Sequence, residues 1–579
     1  MPETPRIESS ARLPLLERAC QGVVLLIGAV CVYAGRKGPF GIDGLAYMDV
    51  ARAYLHHDWH TAINGYWGPL YSWLLAIGLW VFRPGMRGEL VLVHALNYAL
   101  FVKALLTFGS FWRAIAAWSR KADSDETSLP DAAPVAWILF GYLMFLVTFV
   151  WSLDDVTPDI LVACIVFAIC TRLFMIETDG GRGMASYLLL GILLAIGYYA
   201  KAILLFFAVF VLAGLMLRAF RSRSFREPLV AAVVFWVLIA PFVAALSRTV
   251  GHFTAGDSGR LNYAWFVDGT ETKTWMTTDA APLPFYPGPA VFGSPRVFLV
   301  PYLEGVTYAP WYDAARFDKR SQPRLSLRGQ LRQLAVNLKL IKEQVLGTEA
   351  VLLVPLLILW WQRPNPSWRR LVATCFCTLP IVGVVGLYLL THLVMRFVLG
   401  FFLVLWGAAF ASISSSSSNS NSLVLTRRAL LAGILVFAAI ELPGVLHFAL
   451  SHSAENSDRD IAIAQALPVY GVVPGNAVAS LGDGQEGYWA HWAAVLVVAE
   501  IWRRDLGEFW AESPELQNLA LRAMSNSGAK AAVWRRDSDR PCPALWISLP
   551  ENSGCLILLP DAEQNSRTTI DTPSRQRYP

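Results

Sequence analysis

The sequence predicts an all-α polytopic membrane protein with about eleven transmembrane helices, followed by a small mixed α/β domain outside the membrane. Three observations carry that expectation. Of 579 residues, 55% are hydrophobic and only 16% are charged, with a mean hydropathy of +0.45; a soluble chain carries about a quarter charged residues. The charge deficit is local: VVLLIGAVCVYAG (23–35) and LVAAVVFWVLIAPFVAAL (229–246) hold no charge, whereas 251–345 and 451–579 read as water-soluble sequence. Finally, basic residues gather in every second loop between the apolar runs, as the orientation of membrane proteins requires.

A span needs about 20 mostly apolar residues, which places spans at 16–35, 89–112, 132–151, 158–176, 186–200, 202–218, 229–246, 348–362, 371–392, 396–413 and 429–449. GPLYSWLLAIGLWVF (68–82) is apolar but short, and is expected to lie at the membrane surface. With the N-terminus inside, the inner side receives Arg6, Arg12 and Arg18, Arg113 to Lys121, Arg172 and Arg182, four arginines over 218–226, then Arg363, Arg369, Arg370, Arg427 and Arg428. The opposite short loops hold far fewer, Lys201 and Arg396 among them. The bias puts loops 36–88, 152–157 and 247–347 and everything from 451 onward on the outer face. The expected location is therefore the plasma (inner) membrane, with a cytoplasmic N-terminus and an extracytoplasmic C-terminal domain. The net charge of +5 needs no nucleic acid to explain it.

The C-terminal stretch 451–579 is expected to hold helices over 457–468 and 514–525, a helical stretch from Tyr488, and strands near 476–481, AKAAVW, ALWISL and CLILL. Six cysteines lie in or beside spans, as small apolar residues do. Cys542 and Cys555 could pair in an oxidising compartment, but a hairpin about PENSG would set Cys555 opposite a residue near Leu549, so no bridge is expected. GDGQEG (482–487) fits the dinucleotide-loop pattern, yet Asp483 and Glu486 would repel a pyrophosphate; a strand-to-helix loop is expected instead.

The first outer loop, GIDGLAYMDVARAYLHHDWHTAINGYWGPLYSWLLAIGLWVF (41–82), is the most informative stretch. Asp43 precedes an amphipathic helix carrying Tyr47, Val50 and Tyr54 on one face, and by itself reads as an N-cap. A carboxylate at the membrane surface, an aromatic four residues on, then Asp58–Trp59 and Pro69–Leu70–Tyr71 resemble the first outer loop of the GT-C glycosyltransferases. Within that superfamily the likeness is to the bacterial branch of protein O-mannosyltransferases and the lipid A aminoarabinose transferase. It continues in Thr157–Pro158–Asp159 opening a span, in Lys201 within a tight outer hairpin, and in Arg396 starting a late span. Gly44 stands where many relatives carry a second acid, which leaves the role of a divalent metal ion open.

The resemblance implies a GT-C-like catalytic membrane domain over 1–450, including outer loops 36–88 and 247–347, and an accessory domain over 451–579. It also implies an enzyme that moves a sugar, with inversion, from a polyprenyl-phosphate donor in the bilayer to a glycan, lipid or protein acceptor at the outer face. Direct transfer needs a base for the acceptor hydroxyl, and a lipid-phosphate leaving group calls for positioned cations. The expected catalytic residues are Asp43 as base, with Asp154 or Asp155 orienting the sugar or a metal. The expected substrate-binding residues are Tyr47, Asp159, Lys201 and Arg396. Two other classes use ionisable groups in this way: a transporter or flippase of lipid-linked intermediates, and a non-catalytic envelope assembly factor. A transporter would hold its charges near mid-membrane, whereas here they fall at span ends.

Overall fold

The computed structural model describes residues 6–122, 133–178, 183–268, 290–317, 322–346, 368–413, 420–451, 457–536 and 540–560, with isolated positions 353 and 357. The chain forms two compact units, neither of them one continuous stretch. The first comprises Met1–Phe40, Val50–Thr270 and Lys319–Glu455; the second comprises Gly41–Asp49, Glu271–Asp318 and Asn456–Pro579.

The first unit is helical. Six described helices are long and apolar enough to cross a membrane: Leu13–Gly35, Met86–Ser119, Asp159–Thr178, Leu204–Ser222, Arg226–Val250 and Leu431–Leu450. Pro69–Phe82, Pro134–Phe149, Met184–Ala200, Thr374–Leu390 and Met395–Ala411 are shorter apolar helices. Each expected span except one therefore coincides with a helix, and the expected span at 348–362 lies outside the described residues. In lipid the backbone must bond to itself, which helices do. Burial separates the centre from the rim: the apolar window of Asp159–Thr178 is 78% buried, that of Leu13–Gly35 only 17%. The central helix accordingly has no polar face, and the rim helices turn residues such as Phe220 and Val237 outward. Small residues set the closest approaches. A Cβ on Gly191 would lie 2.6 Å from the Ala231 carbonyl, so the helices Met184–Ala200 and Arg226–Val250 touch backbone to backbone there.

The second unit is built on a seven-stranded sheet of β1 (Ala290–Gly293), β2 (Arg296–Leu299), β3 (Ala477–Leu481), β4 (Leu496–Ile501), β5 (Ala531–Arg535), β6 (Ile547–Ser548) and β7 (Gly554–Leu558). The order is β1-β2-β4-β3-β5-β7-β6. The middle three strands run parallel, β7 closes antiparallel on β5, and β2 antiparallel on β4. Helix Pro514–Asn526 presents Ala520, Leu521 and Met524 to the core that Val498, Ala499, Ala532 and Trp534 share.

The helical stretch expected from Tyr488 runs to Ala493; Ala494 turns left-handed (φ 52°) and releases the chain into β4, whose LVVAEI favours a strand. Two expectations are corrected here. Strands β1 and β2 come from the long outer loop, which was expected to belong with the membrane domain. Cys542 and Cys555 do form a disulfide, with Cα atoms 5.8 Å apart. The hairpin register is nearly as expected, Ser548 opposite Cys555. The bridge arises because Cys542 is not a strand residue: it precedes β6 and its sulfur lies 3.6 Å from the Gly554 carbonyl.

Candidate functional site

In the first unit four of the expected residues meet where three helices begin or end. Asp159 is the first residue of Asp159–Thr178, Lys201 follows the end of Met184–Ala200, and Arg396 is second in Met395–Ile413. Lys201 Nζ lies 2.8 Å from Asp159 Oδ1, and Arg396 Nε 3.6 Å from Asp159 Oδ2. Arg396 Nη1 also approaches Asp155 Oδ2 at 3.8 Å, and Thr157 donates to Asp159 Oδ2 at 3.0 Å. The Asp159 carboxylate is 5% exposed, while Lys201 and Arg396 remain 22% and 28% exposed, so the cations form the open side. Phe397 floors them, its ring 3.5 Å from Lys201 Nζ. A carboxylate at a helix N-terminus and a cation at a C-terminus both suit the helix dipole. Arg396 stands at the positive end of its own helix, so its charge needs the facing anions.

Asp155 is held by a chain of buried polar groups. Tyr71 donates to Asn97 Oδ1 at 2.7 Å, and Asn97 Nδ2 donates to the Leu153 and Asp155 carbonyls, each at 3.0 Å. Sequence reasoning passed over Asn97; its signal is an amide inside an apolar span, where polar groups must find partners. Tyr71 gives the Pro69–Leu70–Tyr71 motif a physical task, since Pro69 starts the helix Pro69–Phe82 and Tyr71 braces the loop. Asp154 goes elsewhere: its carboxylate lies against Gly35 at the end of the first helix, where any side chain at 35 would collide with it.

Asp43 and Tyr47 belong to the second unit. Helix Gly41–Leu55 starts after Phe40 with no side-chain cap, and Asp43 lies in its first turn. The capping role is thus removed: Asp43 Oδ1 instead accepts from Trp311 Nε1 at 3.2 Å. The aspartate that does cap is Asp58, which accepts from the Thr61 amide ahead of Trp59–Ala62. The helix is not amphipathic in its setting, because residues 44–51 are all buried; Tyr47, expected to line a substrate surface, is 2% exposed. The cause is distant in sequence. Asp49, 3% exposed, accepts from the Thr307 amide at 2.8 Å and its hydroxyl at 3.1 Å, and its Oδ1 is 2.8 Å from His491 Nδ1. No local pattern could reveal a pair separated by 442 positions.

Glu500 occupies the place a dinucleotide phosphate would take beside GDGQEG. Gly484 N donates to Glu500 Oε2 at 2.7 Å, and Tyr308 and Trp502 donate to Oε1 at 3.0 and 2.9 Å. Burial pushes this carboxyl up to about 7 against the pull of those donors. The loop joins β3 to helix Tyr488–Ala493 and answers an internal carboxylate. Among the described residues no three His, Cys, Asp or Glu side chains converge as metal ligands would.

No family model and no curated protein matches the chain. Among solved structures it is similar to the oligosaccharyltransferase of Archaeoglobus fulgidus in the apo form, at 12% identity and a TM-score of 0.47, over 89% of this chain and 69% of that one. It is similar to the same organism's AglB in complex with an inhibitory peptide and a dolichol-phosphate, at 12% identity and a TM-score of 0.45, over 90% and 69%. It is also similar to ArnT from Cupriavidus metallidurans bound to undecaprenyl phosphate, at 14% identity and a TM-score of 0.39, over 92% and 97%.

Proposed function

We propose that the chain is an integral membrane glycosyltransferase that takes its sugar from a polyprenyl-phosphate carrier. One observation carries the reading furthest: Lys201 and Arg396 converge at the starts of two long helices, Asp159–Thr178 and Met395–Ile413. Helix N-termini favour anions, and two partly exposed cations beside them fit a lipid phosphate better than a neutral ligand. Arginine's fork can bind two phosphate oxygens at once. A flippase would place such charges within the spans; here they sit at helix ends.

In this reading Lys201 and Arg396 hold the phosphate, and Asp155 orients the sugar. Asp43, the base that the first-loop resemblance implies, accepts the proton of the acceptor hydroxyl. The acceptor oxygen then attacks C1 from the face opposite the phosphate. The C1–O bond breaks with inversion, and the lipid phosphate leaves with its electron pair. The site faces outward, and both the arginine bias and the disulfide, which suits an oxidising compartment, support that side. The acceptor is a glycan, lipid or protein presented there.

Binding of polyprenyl phosphate to the purified protein tests the phosphate site. Lys201→Met and Arg396→Met should each weaken it about tenfold or more, since a hydrogen bond to a charged group is worth about 1.5–3 kcal/mol. Unchanged binding by both variants, with normal membrane insertion, overturns the assignment.

A further inference from the structure

The helix Leu327–Leu346 lies in the first unit and does not take part in the reading above. Its sequence carries two parallel rows. Leu327, Leu331 and Leu338 recur at i, i+4 and i+11. Arg328, Arg332 and Lys339 repeat that spacing one residue later, so a basic row runs beside the leucine row about 100° round the helix. The leucines are 73%, 58% and 48% exposed, and Leu325 just before them is 95% exposed. Large apolar side chains held in a row toward solvent mark a surface that something covers.

The remaining face fixes the depth of this helix. Gln333 and Asn337 are buried, and Gln333 Nε2 donates to Asn337 Oδ1 at 3.1 Å. Asn337 Nδ2 donates to the Tyr388 and Leu389 carbonyls at 3.2 and 2.8 Å, the last acceptors of Trp368–Leu390. That end of the apolar helix leads within a few residues to Arg396. The helix is therefore tied to the end of Trp368–Leu390 that leads toward Arg396.

We infer that Leu327–Leu346 lies in the membrane interface on the side of Lys201 and Arg396, its leucine row among the acyl chains and its basic row on anionic phospholipid headgroups. Leucines flanked by lysine and arginine are the composition that interfacial helices use. Glu343, paired with Lys339 at 3.8 Å, lies on the face turned away from the leucines. The inference is independent of the chemistry proposed for the carboxylates.

The test uses the full-length protein in nanodiscs, with its unpaired cysteines replaced and a fluorophore on Leu331→Cys or Glu343→Cys. Lipids spin-labelled in the acyl chain should quench the probe at 331, and an aqueous quencher the probe at 343. Exchange of phosphatidylglycerol against phosphatidylcholine should favour the anionic lipid, falling about fivefold for each of Arg328, Arg332 and Lys339 changed to Gln, the worth of one basic residue at a charged surface. Aqueous quenching at 331 equal to that at 343 overturns the interfacial placement. Shielding of 331 from both quenchers assigns the surface to a protein partner or a second copy and overturns it too. Lipid quenching at 331 with no change in lipid preference in the Gln variants overturns the anionic contact.

Discussion

Asp43 and Asp49 stand on one helix and do different things. Asp43 is half-buried with an indole donor against it, while Asp49 is sealed between Thr307 and His491. The two substitutions to asparagine therefore separate chemistry from structure. Asp43→Asn keeps the volume and an oxygen for Trp311, so insertion and lipid-phosphate binding should be normal. Transfer should fall about a hundredfold or more, because general-base assistance is worth roughly 10²–10⁴. Asp58→Asn is the control, since asparagine caps as well as aspartate; equal activity of both variants in a transfer assay would leave Asp43 without a role. Asp49→Asn turns an acceptor into a donor facing the Thr307 or His491 groups. It should cost about 2 kcal/mol or more of stability, read as a lower thermal midpoint in detergent, and a midpoint matching wild type contradicts the sealed pair. The carboxylates were legible in the sequence as types and positions, whereas Asp49's partners and the Tyr71–Asn97 brace were not, because they join segments far apart in the chain.

Secondary structure was legible where its cause is local. An apolar run about 20 residues long forms a helix in lipid whatever surrounds it, and the helices Asp159–Thr178, Arg226–Val250 and Met395–Ile413 fall where hydropathy puts them. Strands β1 and β2 escaped because RVFL becomes a strand only by pairing with β4, some two hundred positions away, and AVFG only by pairing with RVFL in turn. Phe298 shows what that pairing brings: it is fully buried and stacks on Trp502 at 4.4 Å. The disulfide escaped for a local reason, since Cys542 reaches Cys555 from a segment outside the hairpin. The arginine bias predicts the side on which these elements lie, and labelling checks it. In a protein lacking its six unpaired cysteines, cysteines at Ser258 and Asn526 should react with an impermeant thiol reagent in intact cells, and one at Ser222 only after lysis. Labelling at Asn526 only after lysis would put the sheet inside and overturn the expected orientation.

For the molecule as a whole, the proposed reading divides between the two units. The helical unit gathers Lys201, Arg396, Asp155 and Asp159 where helices begin and end, the setting proposed for a ligand anchored in lipid with a charged head. The sheet unit recruits the first-loop segment Gly41–Asp49 and the long-loop segment Glu271–Asp318 around the C-terminal strands, and it holds Asp43. The stretch from 451 onward is therefore not a separate appendage in its own packing, because its sheet is finished by residues from the long loop. Donor use tests the central claim most directly. Purified protein mixed with an acceptor extract and a polyprenyl-phosphate sugar should release free polyprenyl phosphate in step with sugar transferred. A soluble nucleotide sugar supplied without the lipid carrier should give none. Sustained transfer from the nucleotide sugar alone, or consumption of neither donor by protein that binds polyprenyl phosphate, would contradict the account.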